Sequence, residues 1–286
     1  MSRKLAALRR IISSNESWQR HRLERHPNEG MEKVTALVLS GGGMFGAYQA
    51  GVWSALHDTI PLDMVVGASI GSLNGWLIAG GYSGEKLEKT WLDMGSASQV
   101  GWRYPKNLSD GIIHPDLPEG WMRRIHESCS PRIRYALVAT AMRTMKRVRF
   151  EWPGLSWQHL AASCAVPLFL RQQKIGGVMY GDGGLTDPLP LIDAIEMGAT
   201  RIICVNVLKH RPLVVRAVAA AARFYSKQRD CPLGEVEIID ISPASSLGTG
   251  RDTVYWNLQN VERWISMGKR DANRSKHLVV ECSERV

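Results

Sequence analysis

Three short glycine-bearing stretches hold the residues with the most chemistry in them. The first is Gly67-Ala68-Ser69-Ile70-Gly71, set between a branched apolar run and a helical pattern. It fits G-x-S-x-G in the strand–turn–helix setting that motif requires, where a sharp turn lifts the serine hydroxyl to the top of a sheet. Ser69 is the candidate nucleophile. A serine at a helix start otherwise serves only as an N-cap. The glycines two residues either side relieve crowding against the neighbouring backbone.

The second stretch is Gly41-Gly42-Gly43-Met44-Phe45-Gly46, again between a strand and a helix. Successive glycines let backbone N–H groups converge where a Cβ would obstruct them. The helix start adds the positive end of a dipole. Together they suit an anion, either a phosphate or an oxyanion that develops during reaction. Gly41, Gly43 and Gly46 also satisfy G-x-G-x-x-G, so a dinucleotide site is a competing reading. That reading requires an acid at the end of the second strand to hold a ribose. Asp63 lies at the start of that strand, and its end is Gly67-Ala68-Ser69.

The third stretch is Gly181-Asp182-Gly183-Gly184, followed by Asp187-Pro188. A serine hydroxyl is a poor nucleophile until a base takes its proton. Asp182 is a candidate for that base, although Asp-Gly is also a strong turn signal. A Ser-His-Asp triad in the usual hydrolase order would need a histidine after Asp182, and only His210 and His277 follow it. Both have basic neighbours, which disfavour an imidazolium. They read as surface histidines, and a Ser-Asp dyad is expected. His114, His126 and His159 show no metal-ligand spacing and read as structural or surface residues.

The elements that position these residues alternate. Val34–Ser40 and Asp63–Ala68 read as buried strands, with helices over Gly46–His57, Ser69–Ala79 and Glu85–Met94. Residues 95–130 carry mixed signals with several Gly and Pro, and read as a lid or loop region. Strands follow at Ile133–Ala139 and Arg147–Trp152, then a helix over Ser156–Ala165 that ends before Pro167. Arg201–Val207 and Val236–Ile241 are further buried strands, each preceded by a helix. A long helix is expected near Arg251–Lys269, with Val254, Leu258, Val261, Ile265 and Gly268 forming one packed stripe. Such alternation predicts a mostly parallel sheet covered on both faces, with function at the carboxyl ends of its strands. All three stretches fall there. His26-Pro27-Asn28-Glu29-Gly30 reads as a linker, so residues 1–30 form a basic appendage and 31–286 the catalytic domain.

Composition sets the outer limits. The chain has 286 residues, 44% hydrophobic and 22% charged, with a formal charge of +9. That excludes a disordered chain, a collagen-like repeat and a coiled-coil rod. Five cysteines at 129, 164, 204, 231 and 282 are odd in number and lack C-x-x-C spacing. This argues against a disulfide framework or a zinc site and favours a reducing, cytoplasmic setting. No apolar run reaches the ~18 residues of a spanning helix. Arg9 and Arg10 interrupt the only apolar stretch of the N-terminus, which argues against a signal peptide. The positive charge concentrates in residues 100–150, net +6, and 1–33, net +4. Such clusters suit an anionic partner, and Trp102, Tyr104 and Trp121 among them suit a membrane interface. Peripheral contact with an anionic membrane is the expectation, and a nucleic-acid partner is not expected.

In this order, the three stretches resemble the patatin-like phospholipase family. The resemblance covers roughly Val34 to Val207. It extends to Ala162-Ser163-Cys164-Ala165-Val166-Pro167, similar to the family's segment before its catalytic Asp, and to Ala199–Val205, similar to the strand after it. It implies a three-layer α/β/α fold with a mostly parallel central sheet. It implies acyl-ester cleavage in lipids by a Ser-Asp dyad with no metal or organic cofactor. Carried over, Ser69 is the nucleophile, Asp182 the base, and Gly41, Gly42 and Gly43 supply the oxyanion hole. Two positions depart from the pattern. Phe45 stands where the family's loop usually has Arg or Lys, which alters the loop's electrostatics. Ile70 stands where a smaller residue is common, which is expected to narrow the acyl pocket. A nucleotide-binding oxidoreductase using the G-x-G-x-x-G loop and an inactive lipid- or protein-binding member are the two alternatives, the second motivated by Phe45.

Overall fold

A computed structural model describes residues 33–94, 103–105, 107, 109–209 and 236–281. The expected appendage at 1–30, together with Trp102, Lys106, His210 and the helix expected before the Val236 strand, lies outside the described residues.

The strands are β1 Thr35–Leu39, β2 Met64–Ala68, β3 Arg134–Ala141, β4 Lys146–Glu151, β5 Gln173–Ile175, β6 Val178–Asp182, β7 Arg201–Val205 and β8 Glu237–Ile241. They form one sheet in the order β5-β6-β3-β2-β1-β7-β8, with β4 also paired to β3. The run β3-β2-β1-β7-β8 is parallel throughout, while β4 and β6 meet β3 antiparallel and β5 meets β6 antiparallel. The mostly parallel α/β sheet expected from the alternation is therefore present.

Strand alternation sorts the apolar side chains into two cores. Leu37, Leu39, Val65, Tyr135, Leu137, Ile203 and Val205 face one way. Ala36, Val38, Met64, Val66, Ala136 and Ile202 face the other. Burial on both faces explains why these strands read as continuous apolar runs. The first core is covered by α1 Gly46–Leu56, α2 Ile70–Ala79, α3 Gly84–Asp93, α4 Asp116–Ser128, α5 Trp157–Cys164 and α7 Leu258–Glu281. On the second, α6 Leu191–Glu196 contributes Ala194.

Helices α1 and α7 approach closely. An ideal Cβ on Gly51 would come within 2.1 Å of Ile265 O, and one on Gly268 within 2.2 Å of Tyr48 O. Val261 and Trp264 are fully buried in this contact.

Three elements differ from the expectation. Residues 95–130 include the helix α4, whose Pro118 lies in the first turn, where a missing N–H costs nothing. The last helix begins at Leu258 rather than Arg251, because Arg251–Thr253 closes a separate 3-10 turn. The hairpin β5–β6 was not anticipated, although Gly176 and Gly177 both have positive φ (56° and 84°), as a tight two-residue hairpin turn demands.

Candidate active site

The two strand-to-helix turns lie side by side, because β1 pairs with β2 in parallel and Leu39 is in register with Gly67. Ser69 occupies the second turn at φ 52°, ψ −126°. That is a strained conformation for a residue with a Cβ, and it persists only where the surroundings enforce it. Here they do. The Ser69 N–H donates to Ser163 Oγ at 3.0 Å, and Ser163 Oγ in turn donates to Val138 O at 2.7 Å. The Ser69 C=O accepts from Ser72 N–H and Ser72 Oγ at 2.8 and 2.6 Å. Gly71 passes so close to β1 that a Cβ would sit 2.4 Å from Leu39 O. The nucleophile candidate is only 8% exposed, so it sits at the floor of the carboxyl edge, not proud of it.

Asp182 ends β6 and faces Ala139 across the antiparallel register with β3. Its own backbone is fixed on both sides: N–H to Ala165 O at 2.9 Å, and C=O from Thr140 Oγ1 at 2.7 Å. Carboxylate Oδ1 accepts the Gly184 N–H at 2.7 Å. Oδ2 is buried with no hydrogen-bond partner. Burial pushes the Asp182 pKa up to about 6, and the Ser69 hydroxyl and the Gly184 N–H draw it down against that push. The strand registers bring the two residues together, since Ala68, just before Ser69, pairs with Val138 and Asp182 pairs with the next residue, Ala139. A base without a formed bond to its nucleophile is common before substrate arrives.

The glycine loop shows one departure from the expected triplet. Gly41 N–H donates to Pro188 O at 2.9 Å, so it is not an open donor. Gly41 instead provides clearance, since a Cβ there would lie 3.3 Å from Ser69 Cβ. Gly42 and Gly43 N–H have no hydrogen-bond partner among the described residues. Gly43 holds φ 57°, and a Cβ on it would strike Thr253 O at 2.1 Å. Behind the loop runs a buried polar chain. Gln49 Nε2 donates to Ser40 O at 2.7 Å, Asn74 Nδ2 to Gln49 Oε1 at 2.9 Å, and Trp91 Nε1 to Asn74 Oδ1 at 3.0 Å.

Phe45 and Ile70 both find structural partners. Phe45 is buried and meets Trp264 of α7 edge-to-face at 5.1 Å. Ile70 turns toward the glycine loop, with its Cγ1 only 2.5 Å from where a Gly46 Cβ would be. Ile70 thereby packs the two turns against each other.

Several neighbours escaped the sequence reading. Ser163 sits in the quoted Ala162–Pro167 segment but was assigned no role. Cys164 lies beside the pair as a thiol whose pKa is raised, first by burial and then by the Asp182 charge. Arg147 of β4 reaches Asp187 Oδ2 at 3.1 Å and buried Asp193 at 3.2 Å. Asp187 directly precedes Pro188, whose carbonyl accepts the Gly41 N–H, so this ion pair anchors on β4 the segment that reaches the glycine loop.

The described histidines are engaged elsewhere. His126 stacks on Trp76 at 4.8 Å, His159 completes a capping box with Ser156, His114 lies 3.4 Å from Asp116, and His277 is exposed on α7. No histidine among the described residues bonds to Ser69 or Asp182.

A family model described as patatin-like phospholipase matches residues 37–195, more than half of the chain and all three glycine-bearing stretches. The chain belongs to the patatin-like phospholipase family. Its similar relatives include "Lysophospholipase NTE1" of Debaryomyces hansenii, 29% identical over 189 residues, covering 60% of this chain and 12% of that protein. "Lysophospholipase NTE1" of Mycosarcoma maydis is 29% identical over 179 residues, covering 60% and 9%. "Patatin-like phospholipase domain-containing protein 6" of Mus musculus is 28% identical over 181 residues, covering 60% and 13%. The chain thus spans about a tenth of the length of these curated relatives. Among solved structures, VipD from Legionella pneumophila aligns with a TM-score of 0.47 at 14% identity, covering 88% of this chain and 67% of that one. The type III effector ExoU aligns at 0.42 and 11%, covering 87% and 53%. The family match ends at residue 195, whereas Trp264 and Thr253, which pack on the glycine loop of this patatin-like domain, come after it.

Proposed function

We propose that this patatin-like chain is a serine lipid acyl hydrolase, cleaving fatty-acyl esters of phospholipids or lysophospholipids. The observation that carries this reading is the placement of Ser69, held at φ 52° just after Ala68, beside the buried Asp182 carboxyl with its open Oδ2: Ala68 pairs with Val138 and Asp182 with the next residue, Ala139. In the first step Ser69 Oγ bonds to the ester carbonyl carbon while its proton passes to Asp182 Oδ2. The negative charge on the carbonyl oxygen is met by the Gly42 and Gly43 N–H groups and by the Ile70 N–H at the start of α2. Collapse breaks the ester C–O bond, and Asp182 returns the proton to the leaving alcohol. Water then attacks the acyl-Ser69 ester, its proton going to Asp182, and the fatty acid leaves as Ser69 regains a proton.

The acyl class is supported by the family and by relatives named lysophospholipases. Neither the glycine loop nor β2 offers an acid for a ribose: Asp63 accepts the Thr35 N–H at 2.7 Å instead, as a β1–β2 brace. This weighs against the oxidoreductase alternative. Against the inactive-member alternative stands Phe45, whose buried contact with Trp264 leaves the loop donors open.

No helix among the described residues is long and apolar enough to cross a membrane. We place this domain in peripheral contact with a membrane surface.

Replacing Ser69 by Ala tests the assignment. Turnover of a soluble short-chain ester is expected to fall roughly ten-thousandfold or more. Thermal unfolding is expected to hold or improve as the strained position loses only a hydroxyl. Retained turnover in a folded variant contradicts the nucleophile.

A further inference from the structure

Much of the positive charge in residues 100–150 is internally balanced. Arg103 pairs with Asp110 at 2.6 Å, and Arg149 with Glu196 at 2.8 Å and Glu151 at 2.9 Å. Arg147 meets Asp187 and Asp193, and Arg123 lies 3.6 Å over the Trp157 ring. Trp121 packs against the core. These groups do not form an open basic surface. Arg143, Lys146 and Lys174 differ: all three are exposed and none makes an ion pair among the described residues. The stretches that carry them, 142–146 and 165–175, contain no acidic residue.

These three cations share the carboxyl edge of the sheet with the catalytic pair. β3 runs parallel to β2, so the turn after Ala141 projects from the same edge as Ser69. Met142 N–H donates to Met179 O at 2.9 Å, and Met179 lies in register with Lys174. The hairpin tip at 143–146 and Lys174 therefore sit on either side of β6, the strand that ends in Asp182.

The same edge displays apolar side chains. The Ala165 carbonyl holds the Asp182 N–H, and the turn that leaves it exposes Val166 (38%), Leu168 (57%) and Phe169 (37%). Leu168 adopts φ 68°, a left-handed conformation unfavourable for a leucine. It is held there by Ile112 N–H to Leu168 O at 2.9 Å and Ile113 N–H to Phe169 O at 3.0 Å. A strained turn braced so as to present a leucine and a phenylalanine to water calls for an apolar occupant.

We propose that Val166, Leu168 and Phe169 with Arg143, Lys146 and Lys174 form the face that docks on an anionic lipid surface. The apolar turn enters the interface while the cations meet anionic headgroups. This rests on the hydrolase reading in one respect: the face borders Asp182, so docking would place the site against lipid.

The test uses the full chain carrying Ser69→Ala, so that vesicles are not consumed. Phosphatidylcholine vesicles, with and without added phosphatidylglycerol, are sedimented with the protein. Binding is expected with phosphatidylglycerol, weakening as salt rises, and not with phosphatidylcholine alone. The triple variant Arg143→Gln, Lys146→Gln, Lys174→Gln should weaken it about a hundredfold, at roughly fivefold per cation near an anionic surface. Leu168→Asp should weaken it roughly tenfold or more. With Ser69 intact, both variants should turn over a soluble short-chain ester within about twofold of the parent. Equal binding to neutral vesicles, no binding to either, or unchanged binding by the triple variant would overturn the proposal. Should Leu168→Asp unfold, the triple variant on exposed hairpins decides alone. Failure of the hydrolase reading looks different: the parent then turns over no soluble ester, whatever the vesicles show.

Discussion

The turn after β1 and the turn after β2 are neighbours built from similar residues, yet they treat their backbone in opposite ways. At the β2 turn the backbone polar groups of Ser69 are engaged: its N–H by Ser163 and its C=O by Ser72. At the β1 turn Gly42 and Gly43 leave their N–H groups open, while everything behind them is fastened through Ser40, Gln49, Asn74 and Trp91. On the proposed mechanism a nucleophile must be held in one orientation, and a turn bonded on both sides suits Ser69 to that role. A site for transient negative charge must keep donors unsatisfied until the charge appears, so its rigidity has to come from outside the donors themselves. The Gly41 N–H, bonded to Pro188, marks the boundary between the two treatments.

The largest effect expected, short of losing Ser69 itself, comes from the group that serves the fixed turn. Asp182→Asn keeps an acceptor for Gly184 but cannot take a proton, and turnover should fall roughly a thousandfold or more. His277→Ala, by contrast, should leave turnover unchanged. In the free enzyme kcat/KM should drop as pH falls below about 6, the Asp182 pKa set by its burial. The same shift has a stability sign. The folded carboxyl holds its proton up to about 6 while the unfolded one loses it near its ordinary value of 3.8. Between those values the folded state binds more protons, so stability declines as pH rises through the window. Asp182→Asn should therefore melt higher than the parent at neutral pH, by about 2–3 kcal/mol at most. A variant that is both inactive and less stable at neutral pH would contradict the account of a buried, unpaired carboxylate.

On the open turn, Gly43→Ala forces a Cβ toward Thr253 O and removes the easy left-handed φ of 57°. Displacement of the donors should lower kcat roughly a hundredfold, with Ser69 still present and labelled slowly by active-site reagents. Near-parental kcat in that variant would move the oxyanion site away from Gly43.

The smallest of the three effects tests the brace behind Ser69. Ser163→Ala removes the acceptor for Ser69 N–H and leaves Val138 O without its 2.7 Å partner. A kcat lower by roughly ten- to a hundredfold with little change in KM is expected, together with about 1–3 kcal/mol of lost stability. Ser163→Thr, which restores the hydroxyl, should recover much of both. Loss of stability without any change in kcat would reduce Ser163 to a core residue.

What could be read in the chain beforehand follows the range of the interactions involved. The glycine stretches around 41, 69 and 182 announce themselves because their turns are local, set by residues within a few positions. The parallel sheet was legible for the same reason, since β1, β2, β3 and β7 each carry their own buried run, whereas β8, expected to be buried, alternates and exposes Ile238 and Asp240 at the sheet edge. The Gly41–Pro188 and Ser69–Ser163 bonds were not, because each joins positions far apart in the chain and neither serine nor proline is unusual where it stands. Phe45 illustrates the point best. Read locally it is a missing cation in the glycine loop. Its partner Trp264 lies in α7, far downstream and beyond the stretch that matches the family. The helix α4 was obscured by Pro118 and Gly120, which lower helix propensity but are tolerated where Met122 and Ile125 are buried.

The central claim is that Ser69 is activated by Asp182. Treating the full chain with a fluorophosphonate and mapping the adduct by mass spectrometry tests it most directly. The account predicts a single covalent adduct on Ser69, formed quickly in the parent chain and far more slowly in Asp182→Asn. An adduct on another residue, or equal labelling rates with and without the Asp182 carboxylate, would contradict it.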